Sequence, residues 1–116
     1  MIRFPNKILV ATAAVNLHLS FDRLAAIVRN ELGAEPKEDT VVVFHNRRRT
    51  HVKLLWHDRV GYVMVYRRLD RGTYRIPLAV PAGAQSVVVS RHELSALLEG
   101  LDEARLRRAR ALARAA

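Results

Sequence analysis

With 116 residues, half of them hydrophobic and 27% charged, the chain has the composition of one compact domain and not of a disordered segment. Lys plus Arg number 20 against 11 Asp plus Glu, a formal net charge of +9, and Arg supplies 17 of those cations. That excess predicts an anionic partner, nucleic acid before an acidic membrane surface. Cysteine is absent, which excludes disulfides, thiolate metal sites and a thiol nucleophile.

Residues Met1–Lys7 lead into an apolar run from Ile8 to Val15, interrupted by Thr12. The run is too short to span a membrane, and Pro5 inside its basic flank argues against a signal peptide. It reads as a first strand, Lys7–Thr12, in a cytoplasmic protein. Ser20 then offers an N-cap to a helix with Phe21, Leu24, Val28 and Leu32 at spacings of three and four, and Asp22 suits its positive end. Gly33 ends it and Pro36 prevents its resumption.

Strands follow. Thr40–His45, His51–His57 and Gly61–Arg68 are β-branched and aromatic runs separated by Asn46–Thr50 and Asp58–Val60, both of hairpin length. Beyond the Asp70–Gly72 turn, Tyr74–Leu78 and Ser86–Val89 read as shorter strands. Ser90-Arg91-His92-Glu93 matches a capping box, followed by an apolar stripe of Leu94, Leu97, Leu98 and Leu101. Asp102 can cap a last helix from Glu103 to about Ala115. The short loops require antiparallel neighbours. The expected class is therefore α+β: a single domain, an antiparallel β-meander with one N-terminal helix and two C-terminal helices. Residues 1–103 make the domain and residues 104–116 a basic helical extension.

Charge is partitioned along this scheme. Residues 1–44 are neutral overall. Between 45 and 75, Arg47, Arg48, Arg49, Lys53, Arg59, Arg67, Arg68, Arg71 and Arg75 face only Asp58 and Asp70. Residues 104–116 hold Arg105, Arg107, Arg108, Arg110 and Arg114 and no acid. An Arg triplet in a hairpin loop suits phosphate oxygens, because each guanidinium makes a forked pair of hydrogen bonds. The candidate nucleic-acid contacts are thus Arg47, Arg48, Arg49, Lys53, Arg67, Arg68, Arg71 and Arg75, extended by Arg105, Arg107 and Arg108.

Strand alternation sets Val52, Leu54 and Trp56 opposite His51, Lys53, Leu55 and His57, and it groups Arg67 with Val63 and Val65. One sheet face is expected to be apolar and the other mixed. Trp56, Tyr62, Tyr66 and Tyr74 lie on adjacent strands and serve either a core or a base-stacking sheet, with the core the better expectation. Histidines 18, 45, 51, 57 and 92 lack metal spacing, and Asp22, Asp58 and Asp70 show no spacing of a metal cluster. No Gly-rich phosphate loop or nucleophile elbow occurs. No catalytic residue, metal or cofactor is expected, and the protein reads as a non-enzyme.

Several strings carry a resemblance. Phe44-His45-Asn46-Arg47-Arg48-Arg49, Val52-Lys53-Leu54-Leu55-Trp56-His57-Asp58, Gly61, Tyr66-Arg67-Arg68-Leu69, Gly72 and Tyr74 occur in order. So do Val10-Ala11-Thr12, Phe21-Asp22 with Leu24-Ala25, and Glu93-Leu94 with Leu97-Leu98-Glu99-Gly100-Leu101-Asp102. Together, over about residues 4–102, they resemble the small accessory protein, labelled TnpB, of IS-sixty-six-type insertion sequences. Where that family carries a Met-Arg-Lys-like stretch before the Phe-Asp pair, this chain reads Leu17-His18-Leu19-Ser20, two cations fewer. The resemblance implies a protein that assists movement of a mobile element beside a separate transposase, which would hold the strand-transfer chemistry. DNA and the transposase are the partners it implies. An adaptor that docks its cations on an acidic protein surface, or an RNA-binding sheet, are the alternatives.

Overall fold

The computed structural model describes residues 4–36, 39–76, 80–100, 108 and 111–114. Its elements in chain order are β1 (Lys7–Ala11), α1 (Phe21–Asn30), β2 (Thr40–His45), β3 (His51–His57), β4 (Tyr62–Arg68), β5 (Ser86–Val89) and α2 (Arg91–Glu99). Residues 108 and 111–114 are helical. Most of the expected last helix, its Asp102 cap and the expected division at residue 103 lie outside the described residues.

The helix ends follow local chemistry. The Ser20 hydroxyl accepts from the Arg23 amide at 3.3 Å and caps α1. After the last turn, Gly33 takes φ +66° and the Ala34 amide bonds back to the Val28 carbonyl at 3.1 Å, so Leu32 falls just beyond the helix. The capping box of α2 is complete: the Glu93 amide donates to Ser90 Oγ and the Ser90 amide to Glu93 Oε1, both at 3.0 Å. Those bonds to the ionised form hold the Glu93 carboxyl below its usual range.

The five strands form one sheet in the order β4-β3-β2-β1-β5. The β2-β3-β4 meander is antiparallel, as the loop lengths require. The sheet as a whole is not. β1 runs parallel to β2, pairing Ile8 with Val41 and Val10 with Val43, while its other edge pairs antiparallel with β5. The class stays α+β, but the expectation of a purely antiparallel sheet is corrected. Residues 12–39, with α1, are the long crossover that a parallel pair demands.

Side chains divide as the alternation requires, with Val52, Leu54 and Trp56 in the apolar α2-side cluster and His51, Lys53, Leu55 and His57 on the mixed side, but both faces are covered over β2. Every residue of β2 is buried, because α1 covers one face and α2 the other. On the α1 side, Leu24, Ala25 and Val28 pack with Leu9, Val42, Phe44 and Leu55. On the α2 side, Leu94 and Leu97 pack with Ile8, Val10, Val43, Leu54 and Trp56. A continuous apolar run such as Val41–Phe44 is the pattern of a strand buried on both faces.

Tyr74–Leu78 is not a strand within the described residues 74–76. Tyr74 and Ile76 are buried and Arg75 is exposed, so the alternation is real. The segment serves as an extended strap over the α2-side core, tied by the Tyr74 amide to the Arg49 carbonyl at 2.7 Å. Residues 77–79 lie outside the described set.

The strap and α2 meet at Gly100, which has φ +74° and ψ −177°, a conformation open essentially to glycine alone. A Cβ there would sit 2.6 Å from Leu69 Cδ1 and 3.1 Å from the Thr73 carbonyl oxygen. Gly100→Ala should therefore cost about 1–3 kcal/mol in strain, before any displacement of Leu69. A thermal melt checks it, and an unchanged midpoint would refute the close approach.

Candidate nucleic-acid interface

The Arg triplet occupies the β2–β3 hairpin, and Asn46 builds that turn. Its Oδ1 accepts from the amides of Thr50 (2.9 Å) and His51 (3.1 Å), and its Nδ2 donates to Thr50 Oγ1 at 3.0 Å. The Arg49 amide closes on the Asn46 carbonyl at 3.1 Å. With the turn held from beneath by Asn46, Arg47 and Arg48 are exposed and Arg49 is half-buried. Arg49 stands at φ +58°, where hairpins favour Gly or Asn and other side chains cost on the order of 1 kcal/mol.

Two backbone bonds bring the remaining cations to this turn. The Leu69 amide donates to the Thr50 carbonyl at 3.1 Å, which ties the end of β4 to the hairpin, and the Tyr74–Arg49 bond ties the strap. Arg68 pairs in register with His51, and Arg67 with Val52. Arg67, Arg68, Arg71 and Arg75 are all exposed. Seven Arg residues thus occupy one end of the sheet. The ion pair among the described residues, Arg29 with Glu35 at 3.5 Å, lies elsewhere.

Lys53 does not join them. It is 8% exposed, on the α1 side of β3. Its ammonium donates to the Leu17 carbonyl and lies over the Tyr66 ring, 4.9 Å from the centroid. The charge expected to meet phosphate is engaged inside the fold, and this is a correction to the candidate set. Lys53→Met should leave the Leu17 carbonyl unsatisfied and destabilise the protein by about 1–3 kcal/mol. It should leave the salt dependence of DNA binding unchanged. Chemical denaturation and a salt titration of the same variant check both halves, and a flatter salt dependence would return Lys53 to the interface.

Arg105 and Arg107 lie outside the described residues. Arg108 is helical and exposed.

The aromatics divide between the two faces. Trp56 and Tyr74 are buried on the α2 side, where Phe4 meets Trp56 edge-on at 5.4 Å. Burial raises the Tyr74 phenol above its usual range, and the nearby Arg67 charge opposes that shift. Tyr62 and Tyr66 are on the α1 side. Tyr62 stacks on Phe21 at 6.3 Å and accepts a hydrogen bond from Arg29 at 3.1 Å. Phe21, Ala25 and Arg29 recur every four residues, so one stripe of α1 meets this tyrosine. Tyr66 is 50% exposed and Phe21 44%. Sequence reasoning passed over Phe21 as one more apolar helix position; its place at the very first turn was the available signal.

His45 and His51 are held by polar groups of the fold. Both ring nitrogens of buried His45 lie 3.1 Å from carbonyl oxygens, those of Ala11 and Asn46. His51 Nδ1 is 2.8 Å from Thr50 Oγ1. Asp58 accepts from the Val60 and Gly61 amides, at 3.2 and 3.1 Å, which lowers its carboxyl below the usual range. Among the described residues no three His, Asp or Glu side chains gather as a metal site. Nor is any helix there long and apolar enough to cross a membrane.

The sequence pattern of the family described as "IS66 Orf2 like protein" matches residues 6–108. The uncharacterized protein y4hO of Sinorhizobium fredii is 32% identical over 96 residues, covering 83% of this chain and 81% of that protein. A second from the same organism, the uncharacterized protein y4jC, is 28% identical over 102 residues, covering 88% and 85%. No solved structure matches the chain.

Proposed function

The chain belongs to the IS66 Orf2-like family of insertion-sequence transposition accessory proteins, and we propose that it serves that role as a non-enzymatic DNA-binding factor. The observation that carries this reading is the gathering of Arg47, Arg48, Arg49, Arg67, Arg68, Arg71 and Arg75 at one end of the sheet. Seven like charges repel one another, and no acid among the described residues pairs with them, so the cluster weakens the free fold. A polyanion with regularly spaced phosphates relieves that repulsion, and guanidinium forks are the matching donors. An Arg at the left-handed position of the turn fits the same account. Turn chemistry alone favours Gly or Asn there.

The non-enzyme part is supported by the carboxylates. Asp22 is on α1, Asp58 is engaged by its own turn, and Asp70 follows β4, so the ion-holding set of strand-transfer chemistry falls to a separate transposase as partner. Arg105, Arg107 and Arg108 add three cations to the sequence for the same polyanion.

A mobility-shift titration with element-end duplex and random duplex, at several salt concentrations, tests the reading. With about five phosphates neutralised by the 45–75 face, and any contacts of Arg105, Arg107 and Arg108 added to them, log affinity should fall against log salt with a slope of roughly −4 to −5 or steeper. Replacing Arg105, Arg107 and Arg108 with Ala should flatten that slope by about one unit per lost contact, equally on both duplexes. A slope near zero would overturn DNA binding and favour an acidic protein surface as the partner of this face.

A further inference from the structure

α1 covers only part of the sheet face on which it lies. It reaches Leu55 of β3, which is fully buried, and touches Tyr62 and Met64 of β4. Beyond Met64 the β4 edge of this face is open at Tyr66 and Arg68, while Lys53 beside them is covered by the loop that carries Leu17. The cross-strand pairs there are Lys53 with Tyr66 and His51 with Arg68. Tyr66 is half exposed; the Lys53 ammonium lies over its ring, and the His51 ring leans on it at 5.8 Å. An aromatic ring packed in this way is held in place while it still offers surface to a ligand. Phe21, on the other side of Tyr62, is also nearly half exposed.

We propose that this face is a platform for the unpaired bases of single-stranded DNA, with Tyr66 and Phe21 as stacking surfaces and Arg68 beside the Arg47–Arg49 turn as phosphate donors. Aromatics interleaved with cations are what a single strand needs, because every base has a π-face and every link a phosphate. An intact duplex leaves Tyr66 nothing to stack on. A hydrophobic peptide would need contiguous apolar surface, whereas here cations stand among the rings: Lys53 and Arg68 at Tyr66, and Arg29 on the hydroxyl of Tyr62, which stacks on Phe21. The strand is taken as DNA from the function proposed above, because the donors of His51, Tyr66 and Arg68 can meet a 2′-hydroxyl and do not by themselves separate DNA from RNA. The phosphate half of the platform rests on the function proposed above; the stacking half does not.

The test uses the full-length protein and fluorescence anisotropy, with a labelled oligothymidylate of about a dozen nucleotides, a hairpin duplex and an oligouridylate. Tyr66→Ala should weaken oligothymidylate binding about 5- to 100-fold and leave duplex affinity within about twofold, with Phe21→Ala weaker in the same direction. Tyr66→Leu, which keeps apolar bulk on the strand, should lose as much as Tyr66→Ala. Tyr66→Phe should bind like the parent. Loss with Tyr66→Ala but not with Tyr66→Leu would reveal a fold effect and overturn the proposal. So would unchanged single-strand affinity in both, an equal loss on the duplex, or tighter binding of the oligouridylate. If replacing the Arg triplet changes neither ligand while Tyr66→Leu still weakens the single strand, the stacking platform stands and the duplex reading falls. The opposite pattern keeps the Arg face and removes the platform.

Discussion

Replacing Arg47, Arg48 and Arg49 together with Ala should weaken duplex binding by about 10- to 100-fold near physiological salt, and flatten the log–log salt slope by roughly 2.5 to 3 units. Each lost phosphate contact accounts for about 0.9 of a unit on B-form DNA. The fold should be almost unaffected. Arg47 and Arg48 are exposed, and the turn is built by Asn46 through bonds to Thr50 and His51 that no Arg side chain enters. The Arg49 carbonyl that holds Tyr74 belongs to the backbone and survives the substitution. Alanine at φ +58° is no better than arginine, so no change at that residue hides a loss elsewhere. Mobility shift and thermal melting on one preparation separate the outcomes. Unchanged affinity and slope would remove the triplet from the interface. A collapse of the melting midpoint would assign these residues to the fold.

Phe44→Ala should be the most damaging single truncation on the α1 side of the sheet, at about 3–5 kcal/mol. Phe44 is fully buried near the end of β2, opposite Lys53 in register, and belongs to the cluster that α1 closes through Leu24 and Val28. Removing its ring takes apolar area from the core and leaves a cavity that strands on both sides of β2 cannot close by shifting. Domains of this size have about 5–15 kcal/mol of total stability, so the loss takes at least about a fifth of it. The melting midpoint should fall by about 10–20 °C, and urea unfolding should show a lower midpoint with a similar slope. A loss under about 1 kcal/mol would mean that the α1-side core repacks freely.

The parts of this protein legible in its sequence are those decided by bonds between residues three to five apart. Ser20 caps α1 and the Ser90–Glu93 pair caps α2 as their side chains dictate. Short loops make β2, β3 and β4 a meander, because a chain that turns within five residues can only return antiparallel. The Arg47–Arg49 triplet at the hairpin and the strings that mark the family stand in the sequence itself.

What needed the tertiary structure depends on contacts between segments far apart in the sequence, which leave no local pattern. β1 is parallel to β2, and only the alignment of Ile8 with Val41 across the α1 crossover decides it. Alternation put Lys53 on a face, but whether that face meets water was settled by the loop before α1, whose Leu17 carbonyl takes the ammonium. Tyr74–Ile76 alternates like a strand, yet it is not one of the five strands of the sheet, and the Tyr74 amide bonds to the Arg49 carbonyl in the hairpin turn. Of four aromatics with equal claims, Trp56 and Tyr74 went under α2, and Tyr66 stayed half exposed outside the cluster that α1 closes. Coverage is a property of the packed layers, and a strand's own sequence records only which residues share a side.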